Sequence, residues 1–223
     1  ETDAAFGESI FRAALADQQD FQSRDGVTEE TPQGTGNYNQ FWLIDRWFDN
    51  RTSLIIDPPN GRIPPLTEEA QERREARAAV GRPRFAQELD DLGSGLRCSG
   101  GRVPMTGRGY NSNYQIVQTP NWFVVIMEMI HEARIIPLDG RPYVGAQISQ
   151  WMGDSRGHWD GETLVVETVQ FNGKHDQIGR PLLSTGENLS LVERFTRTDS
   201  DTLLYEFTVT DPTIWVSPWT AEL

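Results

Sequence analysis

The chain has 223 residues, 37% hydrophobic and 10% aromatic, a composition that excludes wholesale disorder and allows one sizeable core. Its formal net charge of −13 argues against nucleic acid and anionic membrane surfaces as partners, because both attract a basic surface. The single cysteine, Cys98, excludes an intramolecular disulfide and a cysteine-rich zinc site, and no apolar run is long enough for a membrane-spanning helix.

The first 109 residues are predicted to be rich in helices and loops. Residues 4–22 carry apolar side chains at helical spacing, which favours an amphipathic helix. Residues 53–57 predict a short strand, and the following PPNG sequence (58–61) is typical of a turn. The clearest helix covers 67–80: Thr67 can cap its N-terminus, and two glutamates complement the dipole in its first turn.

From residue 110 onward the pattern predicts antiparallel β structure. Apolar runs are separated by hairpin-like turns at 119–121, 139–140, 160–161 and 198–201. No helical pattern interrupts them, which argues against a parallel sheet. We therefore predict a mainly β (α+β) single domain over 1–223, in which the helix- and loop-rich residues 1–109 pack on a core at 110–223. That core is expected to be an antiparallel meander barrel of the lipocalin or calycin type, because such curling hides strand edges.

Three predicted strands each carry a glutamate among apolar residues. Glu128 lies in the run 122–136, Glu167 in 163–171 and Glu193 in 189–197, each in register with apolar neighbours if the strand alternates regularly. A buried carboxylate is costly unless it is paired or bound to a ligand. The pattern therefore predicts a polar pocket, with the alternative that one or more of these glutamates is exposed.

The proposed catalytic residues are Glu128, His131 and Arg134, which follow one another near the end of the run 122–136. A carboxylate or imidazole can exchange protons near neutrality, and a guanidinium can hold an oxyanion. Strict alternation places His131 on the opposite face, so a bulge or strand end near residue 130 is needed to bring the three together. The predicted substrate-binding residues are Tyr110, Asn113, Tyr114, Asp154, Arg156, His158, Glu167 and Glu193.

Other motifs point less clearly to chemistry. The GDSRG sequence at 153–157 echoes the nucleophile loop of chymotrypsin-like proteases, but Arg156 stands where that loop needs glycine. The alternating polar residues at 154–162 suggest a metal loop, although Asp160-Gly161 is better explained as a turn. His131 and His158 lack the spacing of known metal sites, and there is no nucleotide-binding glycine motif. We predict neither a metal nor a cofactor.

Two classes of function fit this pattern. The first is a cofactor-independent acid/base enzyme, of the lyase or isomerase type, that acts on a small organic molecule. The alternative is a non-catalytic ligand-binding barrel or an interaction module of a secreted or surface assembly. A binding site tolerates an apolar lining with one or two polar groups, whereas catalysis needs a proton acceptor within reach of an oxyanion stabiliser. The expected partner is a small molecule, and the oligomeric state stays open.

Several long strings resemble an uncharacterised, widespread family of exported bacterial proteins, and together they cover most of residues 38–223. The resemblance implies an exported bacterial protein, periplasmic or extracellular, and we expect its signal peptide either to have been removed or to lie outside the 223-residue sequence. It implies no catalytic residues. The strings are RTSLIIDPPNGRIPPLTEEAQ (51–71), YNSNYQIVQTP (110–120), MIHEARIIPLDGRP (129–142), QWMGDSRGHWDGETLVVET (150–168) and LVERFTRTDSDTLLYEFTVTDP (191–212).

Overall fold

The computed structural model describes residues 51–80, 103–106, 113–128, 131–173 and 186–223. By its internal contacts the chain divides into two compact units, Glu1–Ser53 with Arg108–Asn111 and Leu54–Gly107 with Ser112–Leu223. The elements described below belong to the second unit. The predicted helix at 4–22, Cys98 and Tyr110 lie outside the described residues, and the single-domain organisation stays a prediction.

One α-helix, α1 (Glu68–Val80), occurs in the described residues and begins where the sequence predicts. The backbone N–H of Ala70 donates to Thr67 Oγ1 at 3.2 Å, so Thr67 is the N-cap. The Thr67 hydroxyl and the Arg73 guanidinium both donate to the carbonyl of Thr213, each at 3.1 Å. Ala70 is buried, whereas most of the helix is exposed. α1 is therefore a surface helix anchored near its first turns.

Within the residues that the structure describes, nine strands form two antiparallel sheets. The six-stranded sheet has the order β1-β9-β8-β7-β6-β5, and the three-stranded sheet has the order β2-β3-β4. The mainly β, antiparallel class is thus confirmed, but no pairing among the described strands closes these sheets into a barrel. The strands are β1 (Ile55–Asp57), β2 (Tyr114–Gln118), β3 (Trp122–Met127), β4 (Ala133–Pro137), β5 (Asp154–Asp160), β6 (Thr163–Val169), β7 (Ser190–Arg197), β8 (Leu203–Thr210) and β9 (Trp219–Glu222).

Three of the four predicted hairpin turns are confirmed. Residues 119–121 connect β2 to β3, Asp160-Gly161 connects β5 to β6 with Gly161 at a φ of 61°, and 198–201 connects β7 to β8. Asp139-Gly140 is a turn, with Gly140 at a φ of 72°, but the prediction of a hairpin there is wrong. The chain continues as an irregular segment to β5, and its backbone is bound by side chains of β5 and of Gln170, just after β6, rather than by a neighbouring strand.

The two sheets pack face to face around an apolar core. Phe123 on β3 lies against Phe195 on β7, with ring centroids 5.6 Å apart, and Phe195 stacks on Tyr205 of β8 at 4.9 Å. Such aromatic contacts bury large apolar areas and dominate the stability of a core. The residues predicted to be buried are all confirmed: Val165, Leu191, Phe195, Phe207 and Val209.

Candidate functional site

The β3–β4 hairpin turns Arg134 into the core. β3 ends at Met127 and β4 begins at Ala133, so the stretch interpreted from sequence as one strand end is a turn between two strands. The register pairs Arg134 with Val125, and directly paired residues share a face. Val125 faces the core, and Arg134 is accordingly only 3% exposed.

The Arg134 guanidinium is held inside the core by three side chains. Its Nη1 and Nη2 atoms donate to the two carboxylate oxygens of Glu193 at 2.9 and 2.5 Å. Nη2 also donates to Thr168 Oγ1 at 2.7 Å, and Nε donates to Ser155 Oγ at 3.2 Å. Glu193 is completely buried, as the register with its apolar neighbours predicted. The bidentate pair compensates two charges that would be very costly alone.

Tyr205 completes this group, which we call the inter-sheet network: Arg134, Ser155, Thr168, Glu193 and Tyr205. The Tyr205 hydroxyl donates to Glu193 Oε1 at 2.7 Å and accepts from the backbone N–H of Met105 at 2.9 Å. Burial, followed by the nearby Glu193 carboxylate, raises the pKa of Tyr205 well above its usual value of 10. The network links β4 to β5, β6, β7 and β8, so it connects the two sheets.

Glu128 and His131 lie elsewhere. The exposed Glu128 carboxylate accepts hydrogen bonds from the backbone and side-chain nitrogens of Asn113, at 3.1 and 2.9 Å, and so caps the open end of the β2–β3 hairpin. His131 is exposed and has a φ of 58°. The structure therefore does not bring Glu128 or His131 to Arg134, because the turn reverses the face on which the chain continues. Tyr114 is partly buried against the core.

Four other predicted site residues share the outer face of the β5–β6 hairpin. Asp154, Arg156 and His158 alternate along β5, and Glu167 of β6 pairs directly with Arg156. Glu167 and His158 are exposed, whereas Asp154 is buried under the segment that precedes β5. This is the largest group of predicted residues that the structure brings together.

Arg156 and Asp154 hold that segment, here called the outer loop (residues 139–148), against the sheet. Arg156 Nε donates to the carbonyl of Arg141 at 3.0 Å, and Nη2 donates to that of Pro142 at 2.6 Å. Arg156 Nη1 also binds Asp154 Oδ1 at 2.5 Å, while Asp154 Oδ2 accepts from the backbone N–H of Val144 at 2.8 Å. The loop backbone is therefore fixed by side chains that are themselves ion-paired.

The outer loop presents apolar side chains to solvent. Tyr143, Val144 and Ile148 are 36%, 37% and 56% exposed, and the Arg156 guanidinium lies 5.0 Å from the centre of the Tyr143 ring. Partial burial, followed by the Glu167 charge, raises the pKa of Tyr143. The loop thus carries three partly exposed apolar side chains, and a cation lies beside the Tyr143 ring.

A second cation–aromatic pair lies at the start of the outer loop. The Arg141 guanidinium is 4.5 Å from the Trp122 ring centre and binds the Asp139 carboxylate through Nε at 2.9 Å. The hydrogen bond from Arg141 lowers the pKa of Asp139 to about 2. Arg141 in the outer loop and Arg156 on β5 beneath it are thus each held between a carboxylate and an aromatic ring.

Neither a metal centre nor a similar protein offers a further guide. Within the described ranges, no three His, Cys, Asp or Glu residues are placed to hold a metal ion. The same ranges contain no helix long and apolar enough to cross a membrane. No family model, curated protein or solved structure matches the chain.

Sequence reasoning missed the hydroxyl groups of the inter-sheet network. Ser155 and Thr168 are buried and directly paired across β5 and β6, with their oxygens 3.0 Å apart. The signal was weak, because Ser155 is a small residue in a polar stretch and Thr168 is a single small polar residue beside Glu167 in an apolar run. Tyr205 was detectable: its alternation with Phe207 and Val209 predicts a core position, where a hydroxyl needs a partner such as Glu193.

Proposed function

We propose that the protein is a non-catalytic binding module that holds a small apolar or aromatic group against the outer loop. The observation that carries this proposal is the exposure of Tyr143, Val144 and Ile148 on a loop whose backbone is fixed by Arg156 and Asp154. A binding surface that is ordered before the ligand arrives loses less conformational entropy on binding.

A contribution to the stability of the fold does not by itself explain why the outer loop is held in a fixed position. More than a third of the surface of each of its apolar side chains remains in water, where it contributes little to stability, yet the ion pair that holds its backbone is largely buried. Rigid scaffolds commonly carry binding residues on such connections. Aromatic and β-branched side chains beside a guanidinium suit a ligand with an apolar body and a polar or anionic edge.

The acid/base function predicted from Glu128, His131 and Arg134 stays a prediction. It needs a proton acceptor within reach of an oxyanion stabiliser. Arg134 instead directs its donors to Glu193, Ser155 and Thr168, while Glu128 binds Asn113. Because the buried Arg134 guanidinium already donates to other side chains of the protein, a structural role is supported for it. This favours the binding module over the enzyme.

Localisation and architecture enter the same proposal. The resemblance to exported bacterial proteins supports a periplasmic or extracellular module, in which a fixed surface loop faces the medium. We also propose that the two facing sheets form an open, calycin-like half-barrel, supported by the continuous antiparallel order from β5 to β9. Secretion of the native gene product and a solved structure would test these two points.

The experiment is a fragment screen read by amide and methyl NMR. The probes are small aromatic and aliphatic compounds, some uncharged and some carrying a carboxylate. We expect the bound fragments to shift the signals of Tyr143, Val144 and Ile148. Tyr143→Ala should weaken binding by about tenfold, the effect of losing one aromatic contact. Val216→Ala removes another exposed apolar side chain and serves as the matched control.

Shifts that cluster instead around Glu128 and His131 would contradict the binding-module proposal and favour the acid/base enzyme. Equal binding by wild type and Tyr143→Ala would also contradict it, because the outer loop would then not be the binding surface.

A further inference from the structure

The strands at the sheet ends differ in how they are protected from pairing with other chains. Natural edge strands are usually short, charged, interrupted by proline or covered. β1 has three residues and is followed by two prolines, β5 carries four charged or titratable side chains, and β4 ends in proline and lies against β5. β2 is also an edge, since β3 is its only partner among the described strands.

β2 contains neither a charged residue nor a proline. The run NYQIVQTPN at 113–121 contains no charged residue, although the chain carries a net charge of −13, and its one proline follows the strand. Ile116 and Val117 are 39% and 41% exposed. An uncharged, exposed, β-branched edge favours the addition of another strand.

The hydrogen-bond pattern shows which backbone N–H and C=O groups of β2 point away from β3. Thr119 N–H donates to the carbonyl of Trp122, and Glu128 N–H donates to that of Asn113, so the odd-numbered residues of this hairpin bond across to β3. In an antiparallel ladder the alternate residues point away from the partner strand. The N–H and C=O groups of Ile116 and Gln118 therefore face the edge of the sheet, and no described backbone group pairs with them.

The outer face of the three-stranded sheet carries an apolar row that ends at this edge. The register places Val117 opposite Val124, and Val124 opposite Ile135. All three lie on the face opposite to the core, and Ile135 is 60% exposed. The row runs across the whole sheet and stops at Val117.

We propose that β2 pairs antiparallel with β2 of a second copy of this chain, around a two-fold axis at Val117. Ile116 of each copy then pairs with Gln118 of the other copy, which gives about four backbone hydrogen bonds between the two strands. The two three-stranded sheets become one six-stranded sheet. The row Ile135–Val124–Val117 continues into the same row of the second copy.

Symmetry and charge favour a second copy over a foreign peptide. A two-fold axis places each residue near its own counterpart, so any charge at the axis would repel itself. β2 is uncharged, and its central residue, valine, pairs well with itself across an antiparallel ladder. The remaining surface of two chains, each with a charge of −13, repels. Dimerisation should therefore strengthen as salt screens that repulsion.

Sedimentation of the 223-residue chain tests the interface by charge reversal. Wild type should dimerise, whereas Val117→Lys and Val117→Glu should each raise the dimer dissociation constant by roughly tenfold or more, because like charges then face each other. An equimolar mixture of the two variants should recover the dimer, since opposite charges meet at the axis. Val216→Lys and Val216→Glu make the same charge changes at another exposed valine and should leave the dimer intact.

Hydrogen exchange of wild type at two protein concentrations gives a second, independent readout. The amides of Ile116 and Gln118 should become protected at high concentration, whereas those of Gln115 and Val117 should be protected equally at both. The proposal would be overturned if wild type were a monomer or an open-ended polymer. It would also be overturned if the mixture of the two variants did not restore the dimer, or if amide exchange at Ile116 and Gln118 did not depend on protein concentration.

Discussion

At the residue scale, Arg134 and Glu193 share two charge-assisted hydrogen bonds inside the core, where their side chains are 3% and 0% exposed. The exposed pair of Arg194 and Asp160 has the same chemistry but lies in water. An exposed pair contributes little, whereas breaking a buried one leaves a charge without compensation. Since each pair joins an arginine to a carboxylate, the two pairs allow the effect of burial on the strength of an ion pair to be compared.

We expect Arg134→Met to lower the free energy of unfolding by about 3–5 kcal/mol, because Glu193 is left buried and unpaired. Arg194→Met removes the exposed partner of Asp160 and should cost about 1 kcal/mol or less. Urea denaturation of both variants measures the difference. Similar losses for the two variants would contradict a special role for the buried pair.

Tyr205 should make the free energy of unfolding depend on pH in the alkaline range. Its pKa is raised in the folded protein, so the unfolded chain releases this proton first as the pH rises through about 10. The contribution of the protonated Tyr205 side chain to the free energy of unfolding is present in full below that pH. Above it, the free energy of unfolding should fall by up to about 1.4 kcal/mol per pH unit. Tyr205→Phe should flatten this alkaline slope, as followed by denaturation between neutral and alkaline pH. An unchanged slope would show that another group is responsible.

Among the elements, strands β6, β7 and β8 could be predicted from sequence, whereas β9 and the β3–β4 hairpin could not. Period-two alternation places Glu193 among Leu191 and Phe195 correctly, because β7 is regular over its whole length. The run 122–136 is apolar on both faces and has no glycine or proline at its turn, so alternation continues past Met127 in the sequence but not in the structure. Arg134 was therefore assigned to the wrong surroundings.

Glu167 shows a second limit of alternation. Both faces of β6 are apolar at Leu164, Val165 and Val166, all of which are buried, so the sequence does not reveal which face meets the other sheet. Glu167 lies on the outer face and Thr168 on the inner one. The outer loop was equally hidden, since its order depends on side chains donated by β5 rather than on its own sequence.

The order of the outer loop should depend on the shape of the Arg156 side chain. Lysine keeps the charge but cannot reach the carbonyls of Arg141 and Pro142 and the Asp154 carboxylate with one planar group. We expect Arg156→Lys to speed amide exchange in the outer loop severalfold, at Val144 above all. Arg194→Lys is the matched control and should leave that exchange unchanged, and equal effects would contradict the proposed fixing of the loop.

At the scale of the whole molecule, two sheets share one core, which the inter-sheet network crosses, and the outer loop lies on the opposite face of β5. Among the predicted site residues, Arg134 and Glu193 therefore belong to the inter-sheet network, whereas Arg156 and Asp154 hold the loop that we propose as the binding surface. The network should hold the fold without contacting the ligand.

Fragment affinity of the double variant Arg134→Met, Glu193→Gln tests this separation of the network from the binding surface. Glutamine keeps an acceptor for Tyr205, and Ser155 and Thr168 still bond to each other, so removing both charges together should preserve the fold. We predict that fragments of the NMR screen bind the folded double variant as they bind wild type, at the outer loop. Loss of binding in a variant that still folds would contradict the account and place the inter-sheet network in the functional site.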